Sequence, residues 1–170
     1  GLNSPSSTED SLYKPRSPYS ASKASSDHFV SSFHHTFGLN TVMTNCSNNF
    51  GPHQHDEKLL PTIIRNLVNR DEIPVYGDGK NIRDWLYVED HCSAIDLVFH
   101  EGKSGESYNI GGDMELTNLE IIDRISKLFD SLTNNKNSHK LKKFVKDRPG
   151  HDLRYSINHD KITNELGWLP

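Results

Sequence analysis

Tyr19 and Lys23 stand four residues apart in "SPYSASKASSDHF", Ser17 to Phe29. On a helix that spacing places two side chains on one face, one above the other. A lysine ammonium beneath a phenol favours the phenolate, and a phenolate is a general base able to take a proton from an alcohol. The small neighbours Ser20, Ala21, Ser22, Ala24 and Ser25 let a flat ligand approach the helix. The same spacing also arises on an ordinary helix surface, where a lysine stem packs along a ring. The surrounding sequence has to decide between the two.

Other chemistries find less support. The ten histidines include "HQHD" (His53–Asp56) and the pair His34–His35, but no CxxC or HExxH spacing accompanies them, so no metal site is expected. Cys46 and Cys92, with no signal-like start and no long apolar run, fit free thiols in a reducing cytoplasm. "NCS" (Asn45–Ser47) matches a glycosylation sequon inside a strand-like run and reads as chance. A net charge of −4 and a pI near 6.2 ask for neither nucleic acid nor an anionic membrane. The basic run "HKLKKFVK" (His139–Lys146) reads as a solvated face.

The 170 residues suffice for one ordinary domain with a core. A hydrophobic share of 33% beside 25% charged residues is low enough that something else normally covers part of the surface. Gly1 to Ser17 reads as loop. Pro18 to Phe37 is a helix, with Ala21, Phe29, Val30 and Phe33 as candidate buried positions and Gly38 as its cap. Asn40–Ser47 is a short strand, and "NNFGPHQ" is a loop. Lys58–Arg70 is a helix whose Leu59, Ile63, Ile64 and Leu67 share a face. "IPVYGDG" is a strand running into a turn. "RDWLYVEDHCSAIDLVFHEG" gives a strand, then a helix capped by Glu89 and Asp90 and stopped by Gly102. "ESYNIGG" is a strand, and Thr117 with Glu120 forms a capping box for the next helix. "HKLKKFVKDRPGHDLRY" carries a strand and a basic loop, and "NHDKITNELGWLP" is a short helix stopped at Gly167. Strands alternating with helices across short loops define an α/β chain. No glycine-rich dinucleotide fingerprint and no Walker loop occurs in it, and "YGDGKN" has the wrong spacing.

Several of these segments form an ordered set: "YSASKASSDH", "CSNNFGPHQ", "EKLLP", "PVYGDGKNIRDWLYVEDH", "YNIGG" and "DRPGHDLRY". Together they resemble the nucleotide-sugar 4,6-dehydratases of the extended short-chain dehydrogenase/reductase superfamily, and among them the dTDP-glucose 4,6-dehydratases. The resemblance runs from Tyr13 to Pro170. It implies a Rossmann-type NAD domain and a smaller α/β substrate-binding domain. Residues 1–50 would be the late part of the first, and 51–170 mainly the nucleotide-sugar region. It implies NAD as cofactor, dTDP-glucose as substrate, a cytoplasmic homodimer, and removal of water to give a 4-keto-6-deoxy sugar.

On the same resemblance, Tyr19 is the base and Lys23 tunes it while holding the nicotinamide ribose. Asn49 faces the cofactor and Asn48 the substrate. Lys58 and Leu59 line the diphosphate region, and Pro74, Val75 and Tyr76 form a wall for the base. Arg83 grips the diphosphate with its forked guanidinium. Asn118, Asp147, Arg148, Pro149, Gly150 and His151 complete the nucleotide pocket. Read singly, Arg83 beside Asp84 could equally be a structural ion pair, and Gly150 a turn glycine. The family's phosphate loop and acidic catalytic pair have no counterpart here, since "STEDSLY" lies too close to Tyr19 and has Glu before Asp. The expectation is therefore the carboxy-terminal part of such an enzyme, inactive alone. Two alternatives stand beside it: a dTDP-sugar-binding fragment without turnover, and a sister UDP- or GDP-sugar dehydratase or epimerase.

Overall fold

The computed structural model describes residues 5–170, so Gly1 to Ser4 of the expected loop lie outside the described residues. Ser17 opens the first helix, α1 (Pro18–Phe37), by accepting the Ser20 N–H at 3.1 Å, and Pro18 fills a first turn that needs no N–H of its own. Gly38 closes it in the left-handed conformation at φ 67°, its N–H returning to the His34 carbonyl. These are the boundaries expected from the sequence. The buried face is narrower than expected: Ala24 is the buried residue, while Ala21, Phe29 and Phe33 are exposed. The reason is that neither hydrophobic core of the described residues includes a residue of α1.

Strand β1 (Met43–Cys46) pairs in parallel with β5 (Ser107–Ile110). Asn48–Phe50, expected as loop, is instead a strand, β2, parallel to β4 (Ile82–Tyr87). Its Phe50 ring packs 5.6 Å from Tyr87 and 6.4 Å from Trp85, which gives three residues enough aromatic contact to hold a ladder. β4 also pairs with β6 (Glu115–Thr117), antiparallel, and with β8 (Arg154–Tyr155), parallel. β3 (Ile73–Tyr76) and β7 (Lys142–Val145) form a separate parallel pair.

In α2 (Leu59–Asn69), Leu59, Ile63 and Leu67 form one four-residue ridge into the core, whereas Ile64, expected on that face, is 50% exposed. One residue on from Ile63 turns it about 100° away. The acidic pair Glu89 and Asp90 does not cap α3 (Val88–Glu101): Tyr87 holds the cap position, no side chain caps it, and the two carboxylates act through the helix dipole. Gly102 stops that helix as expected. α4 (Asn118–Thr133) has the full capping box, with Thr117 Oγ1 accepting the Glu120 N–H at 3.1 Å and the Glu120 carboxylate accepting the Thr117 N–H at 2.7 Å. Gly167, at φ 75°, ends α5 (Asp160–Leu166).

Two cores result, and β4 lies between them. Trp85 joins Ile63, Leu67, Ile73, Val75, Leu116, Ile121 and Ile122 in the first. Leu86 joins Ala94, Val98, Tyr108, Ile110, Ile162 and Trp168 in the second. The second core gathers β5, α3 and α5 from far along the chain beside β1, so the two cores interleave in sequence. Among the described residues, no helix is long and apolar enough to cross a membrane, and no cluster of His, Cys, Asp and Glu could hold a metal ion.

Thr117→Ala should cost about 1 kcal/mol of stability, and Ile122→Ala roughly 2–5 kcal/mol, because the first loses a cap and the second empties a fully buried site. Urea denaturation checks both; equal losses would contradict the assignment of Thr117 to a local role.

Candidate functional site

α1 carries Tyr19 and Lys23 into a cleft of about 530 Å³. Both side chains are exposed, Tyr19 at 74%. The facing wall comes from the strap before α1, from Asn45 and Asn109 on the paired strands β1 and β5, and from Asp152 and Tyr155. Backbone and carboxylate bonds hold the strap: the Asn109 N–H donates to Glu9 Oε1 at 2.8 Å, the Asn158 N–H to the Ser7 carbonyl at 2.8 Å, and the Ser7 N–H to the Ser156 carbonyl at 3.0 Å. At its far end the Tyr13 hydroxyl donates to Asp27 Oδ2 of α1 at 2.8 Å. Burial, then the Asp27 carboxylate, push the Tyr13 phenol up to about 12, so it stays a donor.

Behind Lys23, burial pushes the Cys46 thiol up, while the Asn49 amide and the Lys23 ammonium act in the other direction. Asn49 Nδ2 donates to the Ser47 carbonyl and to Cys46 Sγ, both at 3.2 Å. Asn49 Oδ1 and Ser47 Oγ are buried without a partner among the described residues. Two orphaned polar atoms at one strand junction fit a ligand that brings its own polar groups.

A second cavity of about 550 Å³ collects nine of the residues expected around the nucleotide: Asn48, Lys58, Leu59, Pro74, Tyr76, Arg83, Asn118, Arg148 and His151. The pleat of β3 turns Val75 into the core instead, 1% exposed, so that only its backbone is left for a ligand. Asp147 supports the cavity from behind. The Arg148 guanidinium lies 5.4 Å from the Tyr76 ring centre and donates to His151 Nε2 at 3.1 Å. A guanidinium only donates, so the imidazole proton sits on Nδ1 and goes to Asp147 Oδ1, 2.7 Å away. That bond, with the Arg148 N–H, holds the Asp147 carboxyl below the usual carboxylate range. Gly77, at φ 59°, lets the chain pass beneath this loop, where a Cβ would meet Asp147 Oδ2 at 2.9 Å. Pro149 is exposed, and Gly150, at φ 69°, lines the first cleft and not this cavity.

Arg83 is only 8% exposed. Its Nη1 donates to the Ile82 carbonyl at 2.6 Å and its Nη2 to the Asp152 carbonyl at 2.9 Å, and its guanidinium lies 4.4 Å over the Tyr155 ring centre. Burial lowers its pKa, opposed by Tyr155 and Asp152. Asp84 is not its ion partner: on the other side of β4 that carboxylate accepts the Gly112 and Met114 N–H groups at 2.9 Å each. Arg83 lines the second cavity, while Tyr155 and Asp152, which both touch Arg83, line the first. Tyr13, Asp27, Asp152 and Tyr155 were not singled out by sequence reasoning. The signal for Tyr155 lay in "DRPGHDLRY", but a two-residue strand leaves no alternation to read.

A family model described as GDP-mannose 4,6 dehydratase matches residues 2–170, and the chain belongs to that family. It is 53% identical to a dTDP-glucose 4,6-dehydratase of Haemophilus influenzae, over 99% of this chain and 52% of that protein. It is 52% identical to the dTDP-glucose 4,6-dehydratase of Salmonella typhimurium, over 96% of this chain and 45% of that protein. The chain thus spans about half the length of these relatives. Its fold matches the crystal structure of a dTDP-glucose 4,6-dehydratase from Streptomyces venezuelae with NAD bound, at TM-score 0.90 and 45% identity, covering 99% of this chain and 50% of that one. The Bacillus cereus UDP-glucuronic acid 4-epimerase, 24% identical with TM-score 0.87, shares the fold.

Burial, then the Asp152 carboxylate, push the Tyr155 phenol up to about 12 as well. A phenol raised from 10.0 favours the fold fully below pH 10, and that contribution is lost as pH rises through about 12. An absorbance titration of phenolate should therefore show Tyr13 and Tyr155 ionising late. Tyr13→Phe and Tyr155→Phe should each remove one of them; an unchanged high-pH limb in both variants would contradict the two carboxylate contacts.

Proposed function

We propose that this chain provides the nucleotide-sugar site and the tyrosine–lysine helix of an NAD-dependent dTDP-glucose 4,6-dehydratase, a lyase. The observation that carries this reading is the pair of cavities whose walls touch through Arg83 and Tyr155: one lined by nine residues expected around a nucleotide, the other by Tyr19 and Lys23. A nucleotide-sugar has the same two-ended form, with a charged diphosphate between base and sugar. Tyr76 offers the base an aromatic face, and Arg83 and Lys58 offer the diphosphate cationic donors. The sugar then lies toward Tyr19, which takes the proton of its C4 hydroxyl. Lys23 lines the same cleft one helical turn on and holds the nicotinamide ribose. NAD, when bound, would supply an acceptor for the C4 hydride and, once water has been eliminated across C5 and C6, a donor of that hydride to C6. Asn49, with its unpartnered carboxamide oxygen, is the residue of β2 suited to the cofactor side.

A cytoplasmic homodimer completes the reading. Cys46 and Cys92 are free thiols, and α1 leaves Phe29, Phe33 and Phe37 exposed for a second copy to cover. Preference for thymine over uracil or guanine rests on the identity to dTDP-glucose dehydratases and on the wall made by Pro74 and Tyr76.

Calorimetric titration of this chain with dTDP, UDP, GDP and NAD in turn tests the proposal. dTDP should bind most tightly of the three nucleotides, NAD should bind weakly or not at all to this chain by itself, and Arg83→Ala should weaken dTDP by ten- to hundredfold, or about 1.5–3 kcal/mol. An equal response to all three nucleotides, or an Arg83→Ala variant that binds dTDP like the wild type, would contradict the reading.

A further inference from the structure

We propose that Tyr155, oriented by Asp152, is a positioning residue that fixes the Arg83 guanidinium at the junction of the two cavities for the diphosphate of a bound nucleotide-sugar. The inference rests on the nucleotide-sugar reading above and adds two residues to it. Their placement follows from strand register, since β8 runs parallel to β4 with Tyr155 opposite Arg83. The register brings ring and guanidinium to 4.4 Å. Asp152 then holds both partners, its carbonyl accepting from Arg83 Nη2 at 2.9 Å and its carboxylate accepting from the Tyr155 hydroxyl.

The arrangement solves a particular problem. Arg83 is a cation withdrawn from water, and the Asp152 carboxylate acts on it through space while its own hydrogen bond goes to Tyr155. A buried charge of this kind requires compensation. Two of its five N–H donors go to backbone carbonyls, and the π-face of Tyr155 balances part of the charge without using any of the others. The remaining three donors stay available to an anion in the second cavity. A carboxylate in the place of the ring would have occupied them. Tyr155 therefore keeps Arg83 both buried and free to bind.

A double-mutant cycle on dTDP affinity, read by calorimetry on this chain, tests the inference. Tyr155→Leu should weaken dTDP about tenfold in the wild-type background and by less than twofold when Arg83 is already alanine. Tyr155→Phe keeps the ring but loses the Asp152 bond, and should cost about threefold with the same dependence on Arg83. Should the leucine variant fail to fold, the phenylalanine cycle decides alone. Equal losses with and without Arg83 would make Tyr155 a structural prop and overturn the inference, as would no loss with Arg83 present. A wild-type chain that does not bind dTDP would overturn the nucleotide-sugar reading first, and this inference with it.

Discussion

Everything in this molecule depends on the pleat of one strand. β4 sends Trp85 into one hydrophobic core and Leu86 into the other, so two residues in succession bind the halves together. The same alternation one step earlier separates Arg83, which faces the second cavity, from Asp84, which ties down the turn before β6 through the Gly112 and Met114 N–H groups. A slip of one residue would exchange every one of these roles. Three strands pair with β4 and hold it against such a slip. Gly112 permits the close approach, since a Cβ there would come within 2.0 Å of the Trp85 carbonyl oxygen.

From that strand the site follows. β2 places Asn48 opposite Trp85, both lining the second cavity, and β8 places Tyr155, which lines the first cavity, opposite Arg83, which lines the second. The loop from Asp147 to His151 closes the cavity through a directional chain of hydrogen bonds from Arg148 through His151 to Asp147. The strap before α1 reaches β5 through Glu9 and α1 through Tyr13, and so sets the width of the Tyr19 cleft. The Tyr19 helix and the strap before it are thus tied by polar contacts to β5 and to the segment that follows β8.

Much of this was legible in the sequence, for reasons that differ from element to element. α1 was readable at both ends and α4 at its start because caps are local: Ser17, Pro18, Gly38, Thr117 and Glu120 carry their message within four positions. Exposure along α1 was not, because it depends on what packs there and not on which residues are apolar. Ile64 misled for a similar reason, one residue off a four-residue ridge. β2 was read as loop because Asn48, Asn49 and Gly51 are turn-formers, and only distant Trp85 and Tyr87 hold it as a strand. The lining of the second cavity was visible as a set of family motifs, none of which was persuasive alone. Tyr155 escaped because its importance arises from register with Arg83, 72 positions earlier in the chain and invisible to local patterning.

The central claim is that a single extended ligand spans both cavities, with its charged middle at Arg83. A crystal structure of this chain with dTDP-glucose tests it most directly. The account predicts the thymine against Tyr76, the diphosphate on the Arg83 guanidinium above Tyr155, and the glucose directed toward Tyr19. A nucleotide bound elsewhere, or a sugar directed away from the cleft that holds Tyr19 and Lys23, would contradict it.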